Sequence, residues 1–272
     1  MPEGDTLHVL AAQLHAQLVG RRVEAALCRE PAIERGLAGL TVTASGAVGK
    51  NLLLRLSDDT ALRVHLGMQG EWRATDRPGL TGTLPANPDP MTALILATQD
   101  HRHTLIRPKH LERLHVRHLA THPQLRTLGP DLCLPRVDLD LVVQRARALG
   151  PEIGVSQLLL LQQPACGIGN VYKNEALFCE AIHPGARAGA LSDAALRGLY
   201  KRAHDLLRAN LHRGRRSTTG RRDPETWVYE RAGESCLRCN GEIRAFSDPV
   251  DGRWTWWCPT CQPVDGPPQA RG

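Results

Sequence analysis

Cys236-Leu237-Arg238-Cys239 and Cys258-Pro259-Thr260-Cys261 are two cysteine pairs near the end of a 272-residue chain, with 18 residues between them. Two thiolate pairs on tight turns, joined by a hairpin, supply the four soft ligands of a tetrahedral zinc site. Disulfides or coincidence are the alternatives, and they are disfavoured because an intracellular chain keeps its thiols reduced. Four protein ligands leave no open coordination position. The spacing therefore predicts one structural Zn²⁺, bound by Cys236, Cys239, Cys258 and Cys261.

The segment before these cysteines is strongly basic. Eight of the residues from Lys201 to Arg222 are Lys or Arg and only Asp205 is acidic, which gives this window a net charge of +7. The whole chain carries 34 Lys and Arg against 28 Asp and Glu, a net charge of +6. Positive charge concentrated in one segment favours nucleic acid binding, and the alternative is a solvated helix face with a basic tail.

The sequence after Pro130 has helical patterning. Apolar spacing predicts helices over 138–149, 155–161, 171–180 and 192–211, two of them opened by Asp or Ser caps. Gly167-Ile168-Gly169-Asn170 stands directly before the third helix. Its glycines allow a sharp turn, and free amides at the helix start favour a phosphate near Asn170. Taken alone, this turn is equally typical of an ordinary helix start.

The first half of the chain has a different pattern. Apolar residues at helical spacing predict an opening helix over 6–18. From Val23 to about Val116, short alternating runs separated by Gly and Pro predict an antiparallel β-sandwich. The fold class is therefore α+β: an N-terminal β-sandwich with an opening helix, a helical domain and a C-terminal four-cysteine zinc finger. We place the domains at 1–122, 123–222 and 223–272, the last with a C-terminal tail.

The N-terminus, Met1-Pro2-Glu3-Gly4, offers a reactive amine. Methionine before proline is normally removed, which would expose the secondary amine of Pro2 beside the Glu3 carboxylate. An α-amine with a pKa of roughly 8 keeps a neutral fraction at neutral pH, and its attack on an aldehyde-like carbon such as a sugar C1′ gives a cationic iminium. The alternative is a start codon followed by arbitrary residues. The interpretation of this motif therefore depends on the other motifs in the chain.

Six motifs, in this order along the chain, resemble those of the formamidopyrimidine-DNA glycosylase/endonuclease VIII family of base-excision repair enzymes. They are Pro2-Glu3-Gly4, Gly49-Lys50-Asn51-Leu52-Leu53-Leu54, His65-Leu66-Gly67-Met68, Gly167-Ile168-Gly169-Asn170-Val171-Tyr172-Lys173-Asn174-Glu175-Ala176-Leu177-Phe178, Trp227-Val228-Tyr229-Glu230-Arg231-Ala232-Gly233 and Cys258-Pro259-Thr260-Cys261-Gln262. The resemblance covers essentially the whole chain. It implies a β-sandwich, a helix-two-turn-helix domain and a zinc finger, with damaged DNA held in the cleft between two lobes.

The resemblance also implies catalytic roles by motif position. Pro2 would be the Schiff-base nucleophile, and Glu3 the acid and base that assists sugar opening and elimination. Lys50 would place its ammonium near a phosphate or sugar oxygen at the lesion. The implied enzyme is a bifunctional DNA glycosylase and abasic-site (AP) lyase, hence a hydrolase and a lyase, that works in DNA repair.

Five further residues match DNA-contacting positions of the family. His65, Asn170 and Tyr229 match residues that hold the DNA backbone. Arg253, on the zinc hairpin, matches the arginine that clamps phosphates beside the flipped nucleotide. Met68 matches the side chain that fills the hole left by the extruded base, and the alternative for it is a buried core methionine.

Departures from the family pattern bear on the substrate. Gln162 stands where many members have Asp, and Arg107 to Val116 lacks the Arg-x-Phe pair of the oxidised-purine branch. Only seven residues separate Thr219 from Trp227, too few for the long flap of that branch. We therefore expect the endonuclease VIII branch, with oxidised pyrimidines and abasic sites favoured, although Met68 points to the purine branch.

Three alternatives stay open from the sequence. One is an 8-oxoguanine/formamidopyrimidine-type glycosylase, and another is a catalytically silent DNA-binding protein of the same fold, which would require loss of Pro2 or Glu3. The third is a metallohydrolase, because six histidines crowd one region. They are His101, His103, His110, His115, His118 and His122. Few carboxylates accompany them.

The sequence also predicts where in the cell the protein works. The apolar run from Leu158 to Leu161 falls far short of the ~20 residues of a membrane helix, so no membrane partner is expected. Glu3 and Asp5 stand where a secretory signal carries positive charge. We expect a cytoplasmic monomer that is nucleoid-associated in a bacterium when at work.

Overall fold

The computed structural model describes residues 2–76, 84–85, 88–249 and 251–264. Met1, with its expected removal, and the tail from residue 265 onward lie outside the described residues. The chain divides into two compact units, Met1–Arg126 and Thr127–Gly272.

The described residues of the N-terminal unit form one long helix, eight strands and two short helical turns. They are α1 (Gly4–Leu18), β1 (Ala25–Cys28), α2 (Pro31–Glu34), β2 (Val42–Val48), β3 (Asn51–Leu56), β4 (Thr60–His65), β5 (Glu71–Asp76), β6 (Thr92–Ala97), β7 (His101–Ile106), β8 (His110–His115) and a 3₁₀ turn (Val116–His118). The strands form two four-stranded antiparallel sheets, ordered β1-β6-β7-β5 and β2-β3-β4-β8.

One apolar core joins both sheets to α1. Leu14 of α1, Leu54 of β3 and Leu96 of β6 belong to the same buried cluster. Alternation along β3 explains this, since Leu52, Leu54 and Leu56 point to the buried face while Arg55 is exposed. The expected β-sandwich with an opening helix is confirmed.

The C-terminal unit begins with four helices. They are α3 (Leu139–Arg147), α4 (Val155–Leu160), α5 (Asn170–Cys179) and α6 (Asp193–Ala209), with a 3₁₀ turn (Ala188–Ala190) before α6. Asp138 caps α3 by accepting bonds from the amides of Asp140 and Leu141, both at 3.0 Å, and the Ser192 hydroxyl accepts from the Ala195 amide at 3.2 Å at the start of α6. All four helices lie within two residues of the predicted bounds.

The last two strands of the described residues, β9 (Arg244–Ser247) and β10 (Trp254–Trp257), form a hairpin that is flanked by the cysteine pairs. A small apolar cluster joins this hairpin to α5, because Phe178 packs with Val228, Ile243 and the cysteines. Among the described residues, no helix has the length and hydropathy needed to span a membrane.

Candidate active site and nucleic-acid interface

Glu3 is held rigidly at the start of α1. It occupies the position before the first helical residue, its backbone amide donates to the Thr6 hydroxyl at 3.2 Å, and its side chain is fully buried. The positive end of the helix dipole favours a carboxylate at this place. Pro2, which is half-buried, precedes it directly. The fold therefore places Pro2, whose nitrogen becomes a secondary amine only when Met1 is removed, next to a fixed acid.

Lys50 lies at the tip of a two-residue turn. Gly49 and Lys50 connect β2 to β3, whose ends pair as Val48 with Asn51. Gly49 has a positive φ of 56°, which a tight turn of this kind requires. A hairpin tip presents the Lys50 ammonium on a well-defined backbone.

His65 lies beside Lys50 in the same sheet. Asn51, the residue after Lys50, pairs with His65, and His65 pairs with His110. Burial, together with the positive charges of Lys109 and Lys50, lowers the pKa of His65 to about 4. The imidazole is therefore neutral at neutral pH. Its Nδ1 accepts the Gly67 amide at 3.1 Å, which leaves the proton on Nε2 as a hydrogen-bond donor.

Met68 projects from a tight turn next to His65. The Gly70 amide donates to the Leu66 carbonyl at 3.1 Å, and any Cβ on Gly70 would collide with that carbonyl. The Met68 side chain is 76% exposed, so it is not a core residue. The turn is fixed from the other side by the Lys109 amide, which donates to the His65 carbonyl at 2.8 Å.

A buried arginine below this turn was missed by sequence reasoning. Arg63 has no exposed surface; its Nε donates to Glu112 Oε2 at 2.7 Å and its Nη1 donates to Asn51 Oδ1 at 2.6 Å. Glu112 also contacts His122 Nε2 at 3.1 Å. The available signal was a single arginine in the otherwise apolar run Ala61–Val64. Arg63 fixes the residue that follows Lys50.

Replacing Glu112 with glutamine is expected to lower the free energy of unfolding by about 2 kcal/mol. A broken buried ion pair costs about 3–5 kcal/mol, and the value is reduced here because the Glu112 side chain is 35% exposed. The hydrogen bond from Arg63 lowers the pKa of Glu112 below its ordinary 4.5. The stabilisation is therefore present above pH 4.5 and is lost as the pH falls through the folded-state pKa.

Urea unfolding of both proteins from pH 7 to pH 3 measures this difference, which should shrink at acid pH. A stability gap that stays constant with pH would show that the Glu112 charge is not involved. Glu24→Gln, the same change at an exposed position, is the matched control.

The six histidines from His101 to His122 lie in separate groups. His101 and His103 have ring centroids 5.8 Å apart beside Trp72, His115 lies near His118, and His122 contacts Glu112. In the described ranges, no three metal-ligating groups from this set converge. The geometry gives the metallohydrolase alternative no support.

Asn170 starts α5 and connects this helix to the β9–β10 hairpin. Its Nδ2 donates to the Trp254 carbonyl at 3.0 Å. One turn later, Lys173 Nζ donates to Thr255 Oγ1 at 2.8 Å and Asn174 Oδ1 accepts the Trp256 amide at 2.9 Å. The polar face of α5 thus fixes β10 along its length.

Glu175 holds Tyr229 and the segment before it. Its carboxylate accepts the amides of Trp227 at 2.7 Å and of Val228 and Tyr229 at 2.9 Å, and the Thr218 hydroxyl. Burial raises the pKa of Glu175, against the effect of these bonds. Sequence reasoning assigned Glu175 no role, because its partners lie more than 40 residues away.

Glu175 also closes the base of a short loop. The Thr218 amide donates to the Glu225 carbonyl at 2.8 Å, so the chain from Thr219 to Trp227 forms a compact turn. Part of the basic window before it is neutralised: Lys201 pairs with Asp205, Arg202 with Glu180 and Arg215 with Glu225.

Arg253 lies in the loop between β9 and β10, directly before β10, and its carbonyl accepts the Asp248 amide at 2.8 Å. Its amide donates to Asp251 Oδ1 at 3.0 Å, and its guanidinium Nε is 3.6 Å from Asp251 Oδ2. The Arg253 side chain is 44% exposed. This loose ion pair orients the guanidinium and still leaves it open to an anion.

The four finger cysteines form a metal-binding cluster. Their sulfur atoms all lie within 4.8 Å of one another, with 3.9 Å between Cys236 and Cys261 and 3.4 Å between Cys239 and Cys258. A tetrahedral zinc ion with Zn–S bonds of about 2.3 Å needs sulfurs roughly 3.8 Å apart, so the cluster fits. The amides of Arg238 and Gly241 donate to Cys236 and Cys239 Sγ at 3.4 Å, which favours thiolates.

Models of known protein families match segments in both units of the chain. The model of the formamidopyrimidine-DNA glycosylase N-terminal domain matches residues 1–114, and that of the formamidopyrimidine-DNA glycosylase H2TH domain matches residues 128–222. The chain belongs to the formamidopyrimidine-DNA glycosylase/endonuclease VIII family. Its members are DNA glycosylases and AP lyases, and this chain is an enzyme of that class.

Individual relatives place the chain on the endonuclease VIII-like branch. It is 37% identical to "Probable endonuclease 8 2" of Streptomyces coelicolor, over 98% of this chain and 96% of the relative. It is 36% identical to "DNA-(apurinic or apyrimidinic site) lyase Nei2" of Mycolicibacterium smegmatis, over 96% and 99%. The fold matches the formamidopyrimidine-DNA glycosylase of Lactococcus lactis bound to DNA with an AP site, with a TM-score of 0.81, 24% identity and coverage of 96% and 99%.

In this family member, the residues singled out from the sequence fall into two groups. The N-terminal unit holds Pro2, Glu3, Lys50, His65 and Met68. Within it, the sheet register brings Lys50, His65 and the Met68 turn together. The C-terminal unit holds Asn170, Tyr229, Arg253 and the cysteines.

Proposed function

We propose that this enzyme excises oxidised bases from DNA, pyrimidines in preference, and cleaves abasic sites through a Schiff base on Pro2. The observation that carries the proposal is the N-terminus, where a proline amine precedes a fully buried carboxylate fixed at a helix start. An iminium formed from a secondary amine has no N–H proton left to lose. The covalent adduct therefore keeps its positive charge and withdraws electrons from the sugar.

The reaction balances with the groups of this chain. With Met1 removed, the Pro2 nitrogen lone pair attacks C1′, the glycosidic bond breaks with its electron pair leaving on the base, and the proton of the Pro2 nitrogen passes to the departing base. Glu3 delivers a proton to the ring oxygen as the sugar opens to the iminium. The iminium acidifies the C2′–H bond, and the Glu3 carboxylate takes up the C2′ proton. The released electron pair forms a C2′–C3′ double bond and expels the 3′ phosphate.

Lys50 and His65 hold the DNA near the reacting sugar in this proposal. Lys50 supplies a cation at a hairpin tip, and the neutral His65 ring supplies an Nε2–H donor. The charged surroundings of His65 suit a phosphate oxygen, which attracts Lys50 and Lys109 at the same time. Asn170, Tyr229 and Arg253, which lie in the C-terminal unit, are proposed to contact the DNA backbone.

We further propose that the cysteine cluster binds one Zn²⁺ with a structural role. Four thiolates fill the coordination sphere, so the ion supplies folding energy rather than Lewis acidity. The ion holds the two cysteine turns together and with them the hairpin that carries Arg253.

The pyrimidine preference rests on the short loop between Thr219 and Trp227. A compact turn closed by Thr218 and Glu225 leaves little chain to cover a bulky purine. The competing candidate is an 8-oxoguanine-type enzyme, and the observation that favours it is Met68 in its His65-Leu66-Gly67-Met68 setting.

Borohydride trapping tests the catalytic proposal. The enzyme is incubated with abasic-site DNA and with duplexes containing thymine glycol, dihydrouracil or 8-oxoguanine, and the adduct is mapped by mass spectrometry. We expect the adduct on Pro2 and faster release of the two pyrimidine lesions in single-turnover assays. An adduct on Lys50 would overturn the nucleophile assignment, and 8-oxoguanine opposite cytosine as the best substrate would overturn the preference.

Replacing Met68 with alanine should slow lesion excision about tenfold and leave cleavage at a preformed abasic site nearly unchanged. Flipping a base costs a few kcal/mol, which an inserted side chain offsets, and an abasic site has no base to extrude. Single-turnover rates on both substrates measure the difference. Met91→Ala, a methionine 43% exposed in the same unit, is the control. Equal slowing on both substrates would exclude a wedge role.

Replacing Arg253 with alanine should weaken binding to all DNA sequences and lower the slope of log affinity against log salt by about one unit. A decrease of about one unit in this slope corresponds to the loss of one phosphate contact. Fluorescence anisotropy at several salt concentrations measures the slope, and Arg253→Lys should keep most of it. An unchanged slope in the alanine variant would remove Arg253 from the interface.

A further inference from the structure

Trp254 is a surface aromatic residue that none of the preceding functions uses. Its ring is 54% exposed, and it is the one exposed aromatic side chain among the described residues. An exposed tryptophan lacks a large stabilisation, because covering such a side chain removes on the order of 150–250 Å² of surface from water. Isolated exposed apolar residues are ordinary on protein surfaces, so exposure alone does not mark Trp254 as a binding residue; its neighbours do.

The backbone of Trp254 is fixed on both sides. Its carbonyl accepts the Asn170 side chain at 3.0 Å, and its strand pairs with β9 as Trp254 with Ser247. The next residue, Thr255, is buried against Lys173. A ring on so rigid a backbone loses little entropy when it meets a ligand.

The ring continues a row of aromatic side chains. Trp254 and Trp256 point to the same face of β10, with ring centroids 6.4 Å apart, and Trp256 lies 4.7 Å from the Tyr229 ring. The row therefore runs from Tyr229, held by Glu175, to the free surface at Trp254.

Three residues proposed to contact DNA lie in this row or next to it. Tyr229 lies at its inner end, Asn170 binds the Trp254 carbonyl, and Arg253 precedes Trp254 in the chain. The Arg253 side chain is 44% exposed, so an accessible cation directly precedes the exposed ring of Trp254 in the chain. A strand with a phosphate and an unstacked base in alternation complements this pair.

We propose that Trp254 is a stacking surface for an unpaired nucleobase, so that the finger holds one strand by a phosphate on Arg253 and a base on Trp254. The proposal rests on the DNA-repair function proposed above. It adds that the finger binds DNA whose bases are unpaired. An intact duplex keeps its bases stacked on each other and offers Trp254 no base face. A single strand, or a strand opened at a lesion, does offer one.

The test compares wild type, Trp254→Ala, Trp254→Phe and Arg253→Ala by fluorescence anisotropy. The probes are a labelled single-stranded oligothymidylate and an undamaged duplex of the same length. Trp254→Ala should weaken oligothymidylate binding about tenfold, and Trp254→Phe should keep most of the affinity because phenylalanine also stacks. Neither change removes a charge, so the salt slope should stay at the wild-type value, in contrast to Arg253→Ala.

The proposal is overturned if Trp254→Ala binds oligothymidylate within twofold of wild type. It is also overturned if affinity for the duplex falls equally, because the ring would then only hold the hairpin in place. Zinc content and thermal midpoint, measured on each variant, report whether the finger has stayed folded. Borohydride trapping of wild type on abasic-site DNA, run in parallel, tests the catalytic function separately, since it can fail while the stacking result stands.

Discussion

Glu3→Gln is expected to lower the rate of base excision by about 10²–10⁴-fold, the usual range for loss of a positioned general acid or base. Glutamine keeps the size of the side chain and its place before α1, and it removes the negative charge and the ability to transfer a proton. DNA affinity should therefore stay close to that of wild type. The measurement is single-turnover release of a pyrimidine lesion, with anisotropy for binding.

Two comparisons make the Glu3 result specific. Glu24→Gln introduces the same chemical change at an exposed position of the same unit and should leave excision unchanged. If Glu3→Gln lost affinity and rate to the same extent, Glu3 would be a structural residue that caps α1. Thermal unfolding of the variant separates this outcome from general loss of folding.

Cys258→Ser is expected to release the metal and to weaken DNA binding at least as much as Arg253→Ala does. Serine is a poor ligand for a soft site, and binding of structural zinc contributes about 10–16 kcal/mol in isolated fingers, which is folding energy for a segment this small. Without it, the two cysteine turns separate and the hairpin no longer presents Arg253 and Trp254.

Metal content by mass spectrometry and DNA affinity by anisotropy check this prediction together. Cys28→Ser is the control, because Cys28 lies in β1 of the other unit, outside the four-sulfur cluster. Normal DNA binding by a metal-free Cys258→Ser protein would show that the finger is dispensable. Retention of the metal would contradict the assigned ligand set.

Features that depend on neighbouring residues were predictable from the sequence. The helices α3 and α6 begin at Asp138 and Ser192 caps, and their bounds follow from apolar spacing, so local chemistry suffices to place them. The cysteine cluster was equally predictable, because metal-ligand spacing is itself a local pattern. Pro2 and Glu3 depended on their position at the chain end and on the family resemblance.

Contacts between distant segments were decided only by the tertiary structure. Arg63 meets Glu112 and Asn51 through the register of three strands, and Glu175 meets the amides of Trp227 to Tyr229 across more than 50 residues of chain. The exposure of Met68 and Trp254 belongs to the same class. Periodicity tells which face of an element is apolar, but burial also depends on which partner covers that face. That choice is made when the elements pack, and the separate sequence patterns do not contain it.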